Sequence, residues 1–305
     1  MRIGHTWWSL LREIGASLRL HQWTKNVLVF APAMLGGRLD EAPIVVSTLT
    51  AFVALGLVAS ATYLINDIVD APDDRRHWSK RERPIAAGRL PVSTAAIAAT
   101  LGLIAGFGIA ASVSWVAVAV LLAYVVLTLA YSLGLKRIPL VDGLVLAILF
   151  SLRLALGVAA ADVPPSSWLF VFSLFLFSSL TFAKRYTELV RSEVGRGEVV
   201  AGRGYRAEDT PLVLAVGVAA GLGAVLIMVL YIIEDAFRQS FYGNTLFLWG
   251  FPPLVFLIVG RIWLVTVRGE MNDDPVKFLL RDRPSQAALL MLAVCFAFAW
   301  LGKGP

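Results

Sequence analysis

Cysteine and histidine are nearly absent from these 305 residues. The single Cys295 excludes an internal disulfide and a thiolate metal site. Histidine is limited to His5, His21 and His77, and no second histidine stands near His77, which argues against a histidine metal site there. Charge is scarce as well, at 16% of residues where a soluble domain carries about a quarter. No segment is low-complexity. A cleavable leader is not expected, because Arg2, Arg12, Glu13 and Arg19 interrupt the apolar character of the first residues.

What fills the space instead is hydrocarbon. Hydrophobic residues make up 58% and the mean hydropathy is +0.75. Apolar runs of about 18 residues or more recur, which marks membrane-spanning helices. The expectation is an all-α polytopic bundle, one integral membrane domain over 1–305, with spans near 24–38, 44–66, 92–112, 114–133, 139–159, 167–186, 211–234, 245–267 and 286–302. The first is short and contains Pro32, so eight spans is the alternative count. Residues 1–20, with Trp7, Trp8, Leu10, Leu11, Ile14 and Leu18, read as an amphipathic helix on the membrane surface.

The net charge of +6 raises nucleic acid as a partner, but its distribution argues for topology instead. With nine spans, 22 Lys and Arg fall with the N-terminus and the even-numbered loops, against Arg38, Arg238 and Lys303 on the other side. That bias places the N-terminus and the charged loops in the cytoplasm. Arg153 and Arg261 lie within spans, where a charge is costly and usually functional.

Two long loops, 67–91 and 184–210, concentrate the charge, and their placement suggests an internal repeat about 120 residues apart. The first opens on Asn66, Asp67, Asp70 and Asp74. At 100° per residue these share one helix face about 100° wide, with Pro72 expected to loosen the turn before Asp74. Oxygen ligands on one face suit Mg²⁺, which takes one or two carboxylates and completes its shell with water and phosphate. Arg75, Arg76, His77, Lys80, Arg81 and Arg83 follow, placed to grip the same phosphates. The bland alternative is a solvated helix end whose acids and bases merely pair.

Asn66-Asp67-x-x-Asp70-x-x-x-Asp74, followed by Lys80-Arg81-x-Arg83-Pro84, resembles the first signature of the UbiA superfamily of intramembrane prenyltransferases. The resemblance covers essentially the whole chain. It implies nine spans around a central cavity and Mg²⁺ chelating a diphosphate. The usual second Asp-rich motif after the sixth span is missing: Lys184-Arg185-Tyr186-Thr187-Glu188 stands there. Exchanging acids for cations implies a site that holds more phosphate than one prenyl diphosphate brings. For Lys184 and Glu188 the alternative is a plain i,i+4 helix pair.

This substitution resembles the branch of polyprenyl-phosphate phosphoribosyltransferases, as do Gln22-Trp23-Thr24-Lys25-Asn26, Gly134-Leu135-Lys136 with Asp142, and Leu280-Arg281-Asp282-Arg283. The resemblance implies 5-phosphoribosyl 1-diphosphate as donor, a decaprenyl-type polyprenyl phosphate as acceptor, and a product used for arabinose donors of the cell envelope. Asn66, Asp67, Asp70 and Asp74 would hold Mg²⁺, with Asp70, Asp74 and Lys184 central to catalysis. Lys184, Arg185, Tyr186 and Glu188 would meet the 5-phosphate or ribose. Asp142 is either a ribose-hydroxyl acceptor or a partner of Arg153, and Lys25, Asn26 and Arg153 are candidates for the acceptor phosphate. Phe170, Phe172, Phe175, Phe177 and Phe182 could line a path for the lipid tail, and Asp282 with Arg283 either closes the site or simply pairs. Gly195–Gly204 imitates a phosphate loop, but no strand precedes it. The rivals are an aromatic-ring prenyltransferase and a transporter without chemistry. Nucleic acid is not an expected partner, and a homo-oligomer is left open.

Overall fold

Long apolar runs become long helices, because a bilayer offers the backbone no other hydrogen-bond partner. The computed structural model describes residues 7–75, 80–191, 203–234, 242–271 and 274–301, with only the backbone at 7–11, 73 and 80. After α1 (Trp7–Ser17) and the short α2 (Ala31–Leu35) come α3 (Ala42–Asp74), α4 (Val92–Val113), α5 (Trp115–Leu133) and α6 (Val141–Ala161). The chain continues through α7 (Ser167–Arg191), α8 (Thr210–Glu234), α9 (Phe251–Val267), the short α10 (Pro275–Leu279) and α11 (Arg283–Leu301). Among the described residues, eight helices are long and apolar enough to cross a membrane. Their positions match eight of the nine expected spans.

The chain divides into two compact units. One holds residues 1–132 and 152–164, the other 133–151 and 165–305, so α6 gives half its length to each. In the first, α3 packs along α4, and a Cβ on Gly106 would meet Val58 at 2.6 Å. In the second, α7 and α8 lie together through Gly217, Gly221 and Gly223, which receive Phe182, Ser179 and Phe175. Small residues allow this close approach where lipid supplies no hydrophobic drive. Trp263 donates its indole N–H to Ser179 at 2.9 Å, so the largest apolar side chain there brings a satisfied polar atom.

The expected first span takes an unexpected form. Leu20–Phe30 is a 3₁₀ helix of 11 residues, followed by the five residues of α2. Its ends lie at opposite ends of α3: Arg19 pairs with Asp67, while Gly36 approaches Val163 and Arg38 donates to the carbonyls of Ala161 and Asp162. Between them Trp23 lies on Gly56 and donates to Ser60, and the Val29 carbonyl lies so near Gly157 that a Cβ there would stand 2.2 Å away. A 3₁₀ helix rises about 2.0 Å per residue and an α-helix about 1.5 Å, so the segment covers about 30 Å, one hydrocarbon thickness. Pro32 removes an amide, and the preceding residues tighten rather than form an α-helix. Pro72 does not end the helix, for α3 continues through it to Asp74 without a restart.

Candidate active site at two charged helix ends

The first cluster forms where α3 ends. Its four motif residues do not converge on one point. Asn66 donates its amide to Asp70 at 3.0 Å, one turn apart, while Asp67 and Asp74 are buried and bound by arginine. Arg83 Nη1 donates to Asp67 Oδ1 at 3.1 Å and to Asp74 Oδ2 at 2.7 Å. Arg19 donates to the same Asp67 oxygen at 2.6 Å and lies 5.0 Å above the Tyr63 ring. Buried carboxylates keep their charge only with such partners. A cavity of about 290 Å³ opens beside them, lined by Ala16, Ser17, Arg19, His21, Gln22, Asp67, Arg83 and Pro84.

Arg19 is a residue that reading the sequence missed. It has φ 51 and ψ 47, a left-handed backbone that non-glycine residues seldom adopt. Such strain persists where surrounding contacts overdetermine the conformation. The other loop candidates are more peripheral. Arg75 donates to the carbonyl of Ala86 at 3.3 Å, and Arg81 pairs with Glu82 on the surface. His77 and the side chain of Lys80 lie outside the described residues.

Among the described residues no three Asp, Glu, His or Cys side chains stand close enough to hold a metal ion together. The chemistry of the donor set nevertheless fits a hard cation with an open shell, since Asn66 and Asp70, joined by a hydrogen bond, carry an amide and a carboxylate oxygen one helical turn apart. Asp67 and Asp74 serve the arginines in this arrangement.

A separate polar cluster lies within the same unit around Arg153. Its guanidinium donates to Asn26 Oδ1 at 3.2 Å and to the Tyr124 hydroxyl at 3.2 Å, above whose ring it sits. Asn26 and Arg153 are therefore brought together, while Asp142 takes Arg185. Lys25 is half-buried next to Asn26.

The second charged helix end belongs to α7. Arg185, 2% exposed, donates through Nε to Asp142 Oδ2 at 2.5 Å and through Nη1 to Glu188. Asp142, fully buried in the first turn of α6, accepts the Tyr205 hydroxyl on its other oxygen at 2.5 Å. A helix N-terminus favours that carboxylate. Arg203 approaches Glu188 at 3.9 Å. Burial, and then the bond to Asp142, raise the Tyr205 phenol above its ordinary pKa. Lys184 is half-buried on the same turn, and Tyr186 packs edge-on against Trp263. Glu188 binds Arg185, and the charge of Lys184 acts on it as well.

Three other candidates resolve into structure. Asp282 pairs with Arg261 and caps α11 through Ser285, so it ties helices together. Phe177 stacks on Phe150 and Phe182 fills the space above Gly143, which makes both core residues. Of Gly195–Gly204 only the last two residues are described, and Gly204 lies against the Arg137 carbonyl.

Comparison with known proteins agrees with this architecture. The profile described as UbiA prenyltransferase family matches residues 27–281. A protein of Sinorhizobium fredii, the uncharacterized protein y4nM, is 40% identical over 284 residues, covering 93% of this chain; the chain spans 55% of that relative's length. The nodulation protein NoeC of Azorhizobium caulinodans is 31% identical, with 92% of this chain and 91% of NoeC covered. Decaprenyl-phosphate phosphoribosyltransferase of Mycobacterium tuberculosis is 32% identical over 294 residues, with 93% and 92% covered. Among solved structures, a UbiA homolog from Archaeoglobus fulgidus bound to DMAPP and Mg²⁺ superimposes with a TM-score of 0.68 at 15% identity, over 96% of this chain and 97% of that one.

Proposed function

The chain belongs to the UbiA prenyltransferase family, and from that premise we propose that it is a Mg²⁺-dependent polyprenyl-phosphate phosphoribosyltransferase of the bacterial plasma membrane, with its charged loops in the cytoplasm. It transfers 5-phosphoribose from 5-phosphoribosyl 1-diphosphate to the phosphate of a polyprenyl lipid such as decaprenyl phosphate. The ribosylated lipid then serves as a precursor of arabinose donors for envelope glycans. The observation that carries this reading is the charge of the second helix end. Lys184 and a buried Arg185 stand where a second acidic metal cluster would serve a prenyl diphosphate.

In this reaction the C1–O bond to diphosphate breaks, and a bond from C1 to a lipid phosphate oxygen forms. An ionised phosphate is already a nucleophile, so no general base is needed and the scarcity of histidine is no obstacle. Asn66 and Asp70 would hold Mg²⁺, which would supply charge neutralisation for a diphosphate leaving group. Asp74 and Asp67 hold Arg83, which with Arg75, His77, Lys80 and Arg81 binds phosphate oxygens. Lys184 and Tyr186 receive the 5-phosphate or ribose, with Arg185 and Glu188 fixing the turn they occupy. Lys25, Asn26 and Arg153 bind the acceptor phosphate, for which a fixed guanidinium is well suited.

The deciding experiment incubates the purified full chain with Mg²⁺, donor labelled in the ribose, and decaprenyl phosphate. Label is expected to move into the lipid fraction with one diphosphate released per lipid. Diphosphate release without label in lipid overturns the reading, as does prenylation of an aromatic acceptor.

A further inference from the structure

The proposed reaction assigns no task to Tyr205, although it is 2% exposed and sits beside the sugar-phosphate candidates. Its hydroxyl accepts the N–H of Leu140 at 2.8 Å and donates to Asp142 Oδ1 at 2.5 Å. The opposite oxygen of Asp142 accepts Arg185 Nε. Each group in this chain therefore has one direction of donation, from Leu140 through Tyr205 and, from the other side, from Arg185 into the same carboxylate. Two observations show that the contact is built. Leu140 has φ 66, a left-handed backbone unusual for a bulky branched residue. Gly204 lies so close to the Arg137 carbonyl that a Cβ would stand 1.9 Å from its oxygen, so only glycine lets the chain lie flush there.

We propose that Tyr205 is a positioning residue: Gly204 and Tyr205 latch the end of the 184–210 connector onto the 134–142 turn and, through Asp142, fix the guanidinium of Arg185. The tyrosine thereby orients the turn of α7 that carries Lys184. This inference rests on the reading that Lys184 and Tyr186 receive the sugar phosphate. Phenylalanine at 205 would preserve the packing while leaving an Asp142 oxygen and the Leu140 N–H each short of a partner.

The test compares wild type, Tyr205→Phe and Gly204→Ala as full chains in lipid nanodiscs, by transfer kinetics and by hydrogen exchange at Leu140. Both variants are expected to raise the donor KM about 10-fold, the worth of one hydrogen bond to a charged group, with kcat changed less than about 2-fold. Exchange of the Leu140 amide should accelerate in both. An unchanged donor KM alongside faster exchange overturns the positioning role and leaves a merely structural tyrosine. Unchanged exchange overturns the latch itself. If wild type transfers no phosphoribose, the reaction reading fails on its own, and the exchange rate still decides the latch.

Discussion

Arg83 holds Asp67 and Asp74 together through a single nitrogen, at 3.1 and 2.7 Å. These acids stand seven positions apart on α3, two turns of helix, and the guanidinium joins them into one unit. Removing it strands two buried carboxylates, of which Asp67 keeps Arg19. Arg83→Gln should therefore lower stability by about 2 kcal/mol, the cost of a broken buried pair reduced because Arg83 is a quarter exposed. The double variant with Asp74→Asn should lose less than the sum of the single changes in thermal unfolding. Strict additivity would show that the two groups are not coupled.

The two helix ends should give opposite kinetic signatures. Asp70→Asn keeps the shape and the contact with Asn66 but withdraws a charge; transfer should fall more than about 100-fold with the melting temperature unchanged. Lys184→Ala should instead raise the donor KM about 10-fold, as loss of one charged contact does. Near-normal turnover in Asp70→Asn removes the metal role, and an unchanged KM in Lys184→Ala returns that lysine to topology.

Arg19 offers a test that separates backbone from side chain. Its left-handed backbone is strained for any residue with a Cβ. Arg19→Ala loses the ion pair and keeps the strain, whereas Arg19→Gly loses the ion pair and relieves it. Glycine should thus be the milder change by about 1 kcal/mol in thermal unfolding, the reverse of the usual helix ranking.

Tyr205 should give the fold an alkaline limit. Burial, and then the bond to Asp142, hold its pKa above the ordinary 10.0. A raised value means that the folded chain prefers the neutral phenol. The associated stability is complete below pH 10.0 and is withdrawn as pH rises from there toward the folded value. Melting temperature should fall more steeply above pH 10.0 in wild type than in Tyr205→Phe. Parallel curves would assign the alkaline loss to other groups.

Much of the architecture is legible because membrane helices announce themselves by length and hydropathy. The boundaries expected for 92–112, 114–133 and 245–267 fall within a residue or two of the observed ones. The 3₁₀ passage escapes such reading, since a short apolar run around Pro32 does not declare which helix it forms. Charged motifs at helix ends are visible in the sequence, but their pairings are not. Nothing local distinguishes Asp142 as the partner of Arg185 rather than of Arg153, for the choice is made by how α6 and α7 pack. Tyr205 and Arg19 lack any motif, and their roles arise from contacts across 63 and 48 positions.

The 3₁₀ passage also constrains how the protein is made. Leu20–Leu35 is shorter than the roughly 20 residues that an α-helix needs to enter a bilayer unaided. Its lodging depends on Ser60 and Gly56 in α3 and on Gly157 in α6, all of which leave the ribosome later. The segment is thus a late tenant of its own place.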